Sequence, residues 1–329
     1  MNVKRVLVTL PMTDEQKAKL ESTAPNAQFV YYPAIDIRAT FNPELTEDEV
    51  QKADVILGDV PSGMLKQSPR LKFLQLDSAG VNSYISGVLH KDTYLCNATG
   101  SYGLAISETM LGMALMLKKR LHQYYKQQEK HLWECLGPVT AIDGAVVLCV
   151  GLGDIGGEFA KRCKLLGAYT IGVRRARTEK PEWLDELHLI QDIDDLIPRA
   201  DIIAMVLPDT PKTRNLFNRE RLSKVKSDAI IINAGRGTVL DQDALCEMLN
   251  EGKLAGAGLD VTNPEPLPKD HPLWDAPNTI ITPHVTGGYT LQRTLDKIID
   301  LATENLRRFI AGEKLINLVD FEEGYASKA

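Results

Sequence analysis

Short apolar runs alternate with amphipathic stretches along nearly the whole chain. The runs have strand length and are rich in Val and Ile. The stretches between them repeat their apolar positions every three or four residues, as helices do. Strands are predicted at 5–9, 29–32, 55–57, 73–76 and 94–97, with helices at 14–22 and 43–52 that Thr13, Asp14 or Thr46 can cap. A second series places strands at 145–150, 169–173, 202–206, 229–233, 257–261 and 279–282. Its helices run from near Ile155 to Leu166 and over 193–199, 219–225 and 241–251. Each series reads as a doubly wound, parallel α/β sheet. Two helices stand apart. Residues 107–127, apolar on most sides from Met110 to Leu117, are expected to be buried between domains or subunits. The amphipathic stretch 291–312 is expected to fold back on the first sheet.

The 329 residues suffice for two domains of roughly 100–200 residues each. A net charge of −6 with mixed signs argues against nucleic acid or an anionic membrane as partner. No apolar run reaches the roughly 18 residues of a membrane span. The apolar part of residues 1–10 is too short for a signal peptide and reads as a first strand. Cys96, Cys135, Cys149, Cys163 and Cys246 are scattered without a CxxC pair. We therefore expect inert thiols, no metal site and a reducing, cytoplasmic location.

The sharpest local motif is Gly151-Leu152-Gly153-Asp154-Ile155-Gly156. A predicted strand precedes it and a helix follows, which is the context a dinucleotide needs. Gly151 permits the tight turn, Gly153 lets a pyrophosphate approach, and Gly156 lets the helix pack on the strand. The free N–H groups and positive end of the helix would face the phosphates. At the end of the next strand an NAD enzyme would carry a carboxylate for the ribose hydroxyls. Here stand Arg174, Arg175 and Arg177, which suit the 2′-phosphate of NADP, so NADP is preferred over NAD.

The chain resembles the D-isomer-specific 2-hydroxyacid dehydrogenases, the family of glyoxylate/hydroxypyruvate reductases and phosphoglycerate dehydrogenases. The blocks that carry the resemblance come in the family's order. They are Ser78-Ala79-Gly80-Val81-Asn82, Asn97-Ala98-Thr99-Gly100, Ala105-Ile106-Ser107-Glu108 and the glycine turn. Leu207-Pro208-Asp209-Thr210-Pro211, Asn233-Ala234-Gly235-Arg236-Gly237, Gly258-Leu259-Asp260-Val261, Pro264-Glu265-Pro266-Leu267 and Thr282-Pro283-His284 follow. The resemblance implies a Rossmann-type cofactor domain (104–289) inserted in a flavodoxin-like substrate domain (1–103 with 290–329). It also implies a hinge that closes on the substrate, and a homodimer through the 107–127 region. The short stretch after the last helix leads us to expect no regulatory domain of the kind found in longer relatives.

Arg236, Glu265 and His284 match the family's catalytic positions, and their chemistry fits. A guanidinium at a strand's carboxyl end can hold a 2-oxo acid by carboxylate and carbonyl oxygen together. Histidine, whose ordinary pKa of about 6.5 is near working pH, suits protonation of the carbonyl oxygen as hydride arrives. Glu265 can fix the ring and favour its charged form. By resemblance, Ala79 and Gly80 offer N–H groups to the substrate carboxylate, together with Arg236 and His284. Asp154, Ile155, Thr213 and Ala234 fall on cofactor positions, Pro208 on the adenine wall, and Asp260 on the residue that holds the nicotinamide amide. Thr262 departs from the aromatic residue many relatives carry. The substrate expected is a small 2-oxo acid, its size set by residues near 78–82, Ser101, Tyr102 and Tyr289. A dinucleotide-sensing, corepressor-like binding protein with little turnover is the alternative.

Overall fold

The structure, a computed structural model, describes residues 3–34, 41–176, 178–289, 291–322 and 325–326. It divides into two compact units, Met1–Ser101 with Gly288–Ala329, and Tyr102–Gly287.

The first unit holds β1 (Arg5–Val8), α1 (Asp14–Glu21), β2 (Gln28–Tyr31), α2 (Glu47–Gln51), β3 (Val55–Leu57), β4 (Phe73–Gln75) and β5 (Tyr94–Cys96). Its five strands are all parallel, in the order β2-β1-β3-β4-β5. This is the flavodoxin-like order. Thr13 caps α1 in a reciprocal box with Gln16, and Thr46 caps α2. Leu7, Ile56, Leu74 and Leu95 from four neighbouring strands form the core with Val50 of α2.

The second unit contains α3 (Gly103–Lys118), α4 (Leu121–Glu129), β6 (Val146–Val150), α5 (Asp154–Leu165), β7 (Tyr169–Arg174), β8 (Glu186–Leu189) and α6 (Ile193–Leu196). Then come β9 (Ile202–Met205), α7 (Arg219–Leu222), β10 (Ile230–Asn233), α8 (Gln242–Asn250), β11 (Gly256–Leu259) and β12 (Thr279–Ile281). The seven-stranded sheet runs β12-β11-β10-β9-β6-β7-β8. Counted from β6, that is the 3-2-1-4-5-6 order of a dinucleotide-binding sheet, with β12 added at the far edge. The chain then returns to the first unit as α9 (Gln292–Ala311), which Gly312 ends in the left-handed conformation. Phe309 of α9 stacks on Phe73 of β4 with ring centroids 5.1 Å apart.

One expectation needs correction. Residues 107–127 are not one helix, because Arg120 takes a left-handed φ of 56° and separates α3 from α4. Met110, Met113, Ala114 and Leu117 are buried, while Leu111, Leu115 and Met116 stay partly open. The strand β8 was not anticipated at all. Among the described residues no helix is long and apolar enough to cross a membrane.

Candidate active site

Strand register in the second unit fixes where its loops emerge. Val150 pairs with Val173 and Met205, Met205 with Asn233, Asn233 with Leu259, and Leu259 with Ile281. Because all are parallel, Gly151, Arg174, Val206, Ala234, Asp260 and Thr282 follow the strands along one edge. Ligands of open α/β sheets bind outside that edge, where the strand order reverses between β6 and β9.

The glycine turn has the shape of a cradle. Gly151 has φ 100°, and a Cβ there would lie 2.3 Å from the Val206 carbonyl oxygen. A Cβ on Gly156 would lie 2.1 Å from the Gly151 carbonyl oxygen, so α5 packs on the turn only because both lack side chains. Gly153 differs, since a Cβ there would meet nothing within 4 Å. It caps α5 without any side-chain bond to the helix's first N–H groups, which are left for an anion. The site therefore fits a dinucleotide pyrophosphate. Asp154 turns its carboxylate to the start of α3, where it accepts the Gly103 N–H at 2.7 Å. What Asp154 and Ile155 offer a phosphate is their backbone.

Arg174 closes β7. One guanidinium nitrogen donates to Thr178 Oγ1 at 3.0 Å, while its Nε is buried without an acceptor among the described residues. Arg175 is exposed, and Arg177 lies outside the described residues. Pro208 is exposed. The Thr213 hydroxyl is engaged locally, donating to the Pro208 carbonyl at 2.6 Å and accepting the Thr210 N–H at 2.9 Å. Ala234 is buried and its N–H donates to the Met205 carbonyl at 3.1 Å.

Glu265 and His284 come together. The His284 Nδ1 lies 2.8 Å from Glu265 Oε2. A carboxylate only accepts, so Nδ1 carries the hydrogen and Nε2 is left for another partner. The other oxygen of Glu265 accepts the Thr262 N–H at 3.1 Å. His284 takes a left-handed φ of 49°, held by its N–H donating to the Asp260 carbonyl at 2.8 Å. The buried Asp260 carboxylate accepts from Thr282 Oγ1 at 2.6 Å, the Val285 N–H at 3.2 Å and Thr286 Oγ1 at 2.5 Å. It thus grips the loop on both sides of His284.

Arg236 follows β10 in a loop that Asn233 closes. Asn233 Nδ2 donates to the Arg236 carbonyl at 3.0 Å, and Asn233 Oδ1 accepts the Gly235 N–H at 3.1 Å. Burial weakens the Arg236 guanidinium's hold on its proton, while the Glu265 and Asp209 charges act the other way. An arginine starts so far above neutrality that it stays charged.

In the first unit the 78–82 turn leaves β4. Asn97 Nδ2 donates to the Ala79 carbonyl at 2.8 Å, and Ser78 Oγ donates to the Gly80 carbonyl at 3.0 Å. Among the described residues the Ala79 and Gly80 N–H groups have no acceptor. Sequence reasoning missed Asn97 and Asn233 as supports. The signal was a polar side chain closing an apolar strand, as in Ile230–Asn233.

The family model of the D-isomer specific 2-hydroxyacid dehydrogenase NAD-binding domain matches residues 111–286. Glyoxylate/hydroxypyruvate reductase B of Pectobacterium carotovorum is 29% identical over 327 residues, covering 96% of this chain and 97% of that protein. A D-isomer specific 2-hydroxyacid dehydrogenase family protein of Aeromonas salmonicida superposes with a TM-score of 0.83 at 29% identity, covering 97% of this chain and 100% of its own. The NADPH-dependent glyoxylate/hydroxypyruvate reductase of Sinorhizobium meliloti, solved with NADP and sulfate, gives 0.79 at 26% identity, covering 98% and 100%.

Proposed function

The chain belongs to the D-isomer specific 2-hydroxyacid dehydrogenase family, and from that premise we propose that it is a 2-oxo acid reductase of glyoxylate/hydroxypyruvate type that prefers NADPH. Its cofactor is NADP or NAD. The observation that carries this reading is the hydrogen-bonded His284–Glu265 pair on the sheet edge that also bears the glycine turn.

When bound, the dinucleotide exchanges a hydride with the substrate carbon. Arg236 binds the carboxylate and carbonyl oxygen of the 2-oxo acid, orienting both. The Ala79 and Gly80 N–H groups take a carboxylate oxygen. His284 Nε2 protonates the carbonyl oxygen in reduction and removes the same proton in oxidation. Glu265 holds the ring and faces the positive charge that the protonated ring carries. Asp260 holds the His284 loop through three hydrogen bonds. A carboxylate has about four acceptor sites, so one remains for the nicotinamide amide.

The preference for NADPH rests on Arg174 at the end of β7, whose guanidinium suits a 2′-phosphate and whose Nε has no acceptor among the described residues. The NADPH-dependent Sinorhizobium relative supports it. The substrate domain comprises residues 1–103 and 290–329, and the cofactor domain 104–289. A homodimer is supported by Trp133, which is 100% exposed beside exposed Leu132 and Val139, with Leu121 and Tyr125 exposed on α4. Apolar surface of this kind marks interfaces. Unpaired cysteines support a cytoplasmic location.

The test is NADPH oxidation by the purified chain with glyoxylate and hydroxypyruvate. Arg236→Ala should lower kcat/KM by about a thousandfold. An unchanged rate would remove Arg236 from the chemistry.

A further inference from the structure

Two carboxyl groups meet behind the 78–82 turn of the first unit. Asp59 follows β3 and Asp77 follows β4, neighbouring parallel strands that pair Leu57 with Gln75. Asp59 Oδ1 accepts the Asp77 N–H at 3.0 Å, and the Asp77 charge acts on the Asp59 carboxyl. The Tyr289 hydroxyl donates to Asp77 Oδ2. Tyr84 faces the pair as well, its own hydroxyl donating to the Val60 carbonyl at 2.8 Å.

We propose that Asp59 is a positioning residue for the substrate carboxylate, its carboxyl holding the Asp77 N–H and fixing the start of the turn that presents the Ala79 and Gly80 N–H groups. The proposal rests on the reading of those N–H groups as the carboxylate's partners. Three bonds set the turn. Asp59 holds the Asp77 N–H in front, and Asn97 holds the Ala79 carbonyl behind. Ser78 holds the Gly80 carbonyl. A peptide group is planar and trans, so anchoring the Ala79 carbonyl points the Gly80 N–H the opposite way. A proton kept on Asp59 also limits the pair to a single negative charge next to the place where an anion must dock. Burial first, then the Asp77 charge, makes Asp59 keep its proton well above the usual carboxylate range. When that proton leaves, two like charges repel, and a second charge opposes the substrate.

Asp59→Asn tests this. Its amide oxygen accepts the Asp77 N–H and the side chain stays neutral at every pH, mimicking protonated Asp59. Titrations elsewhere in the enzyme are common to both proteins and cancel in the ratio of their kcat/KM values for glyoxylate. That ratio, wild type over variant, should be flat at low pH and fall by roughly tenfold at high pH. The change should lie in KM for glyoxylate, with kcat at saturation and KM for NADPH unmoved. Asp59→Ala, which lacks the acceptor, should raise KM at all pH values, and Asp59→Asn should rescue it. If Asp59→Asn folds poorly, Asp77→Asn limits the pair to one charge from the other side and should give the same ratio. A ratio independent of pH in two active enzymes, or a change confined to kcat, overturns the proposal and leaves the reductase standing. A wild type that turns over no 2-oxo acid overturns both.

Discussion

His284 and Glu265 share a hydrogen bond of 2.8 Å between Nδ1 and Oε2, and Glu265 is itself tied to the Thr262 N–H at 3.1 Å. The carboxylate is thus held in place before it holds the ring. Glu265→Gln keeps the size but removes the charge facing the protonated ring. We expect kcat to fall by about 10–100-fold, with KM for NADPH unchanged. Steady-state kinetics in the reducing direction measure both. Wild-type kcat in the variant would mean that the pair is structural.

The three glycines of the turn should separate by substitution. Gly156→Ala drives a Cβ to 2.1 Å from the Gly151 carbonyl oxygen, so it should destabilise the second unit by about 1–3 kcal/mol. Gly153 has φ −85° and open space at its Cβ position. Gly153→Ala should melt with the wild type yet bind NADPH at least roughly tenfold more weakly. Thermal melts and fluorescence titration read the two effects. Full NADPH affinity in Gly153→Ala would place the pyrophosphate elsewhere.

Arg174→Ser removes the buried Nε and its neighbouring donors from the end of β7. Loss of a charged hydrogen-bonding partner should raise KM for NADPH by about 10–100-fold. KM for NADH should stay the same, because that cofactor has no 2′-phosphate. Equal effects on both cofactors would make Arg174 a support of the turn instead.

Glu186 on β8 accepts from Arg199 Nη1 at 3.0 Å, His188 Nε2 at 2.7 Å and the Tyr169 hydroxyl at 2.8 Å. The Arg199 bond first, then His188 and Tyr169, lowers its pKa to about 2 against the opposing effect of burial. A depressed carboxylate stabilises the fold above its unfolded pKa, and that stability is lost as pH falls through the folded value. Glu186→Gln should therefore cost about 1–3 kcal/mol at pH 6 after allowance for solvent screening. The gap from the wild type should shrink between roughly pH 4.5 and 2. Denaturant melts across that window check the sign.

Much of the fold could be read from the chain because the sheets are buried on both faces. Runs such as Ile202–Met205 and Ile230–Asn233 are apolar throughout and cannot be mistaken for loops. The edge strand β8 was missed because Glu-Leu-His-Leu has no β-branched residue, and Glu186 binds partners from β7 and from Arg199. The break between α3 and α4 has no Gly or Pro to announce it, only the left-handed Arg120. At the site, motif order pointed to Arg236, Glu265 and His284 individually. It did not disclose that Asp154 spends its carboxylate on Gly103, or that Asp260 ties down Thr282 and Thr286. Those bonds join residues far apart in sequence, so only the folded sheet edge brings them together.

The most direct test of the central claim follows absorbance at 340 nm with NADPH and with NADH across a panel of 2-oxo acids that includes glyoxylate, hydroxypyruvate and pyruvate. The account predicts fast oxidation, faster with NADPH, and a 2-hydroxy acid as product. No oxidation of either cofactor with any member of the panel would contradict it and favour a dinucleotide-binding protein without turnover.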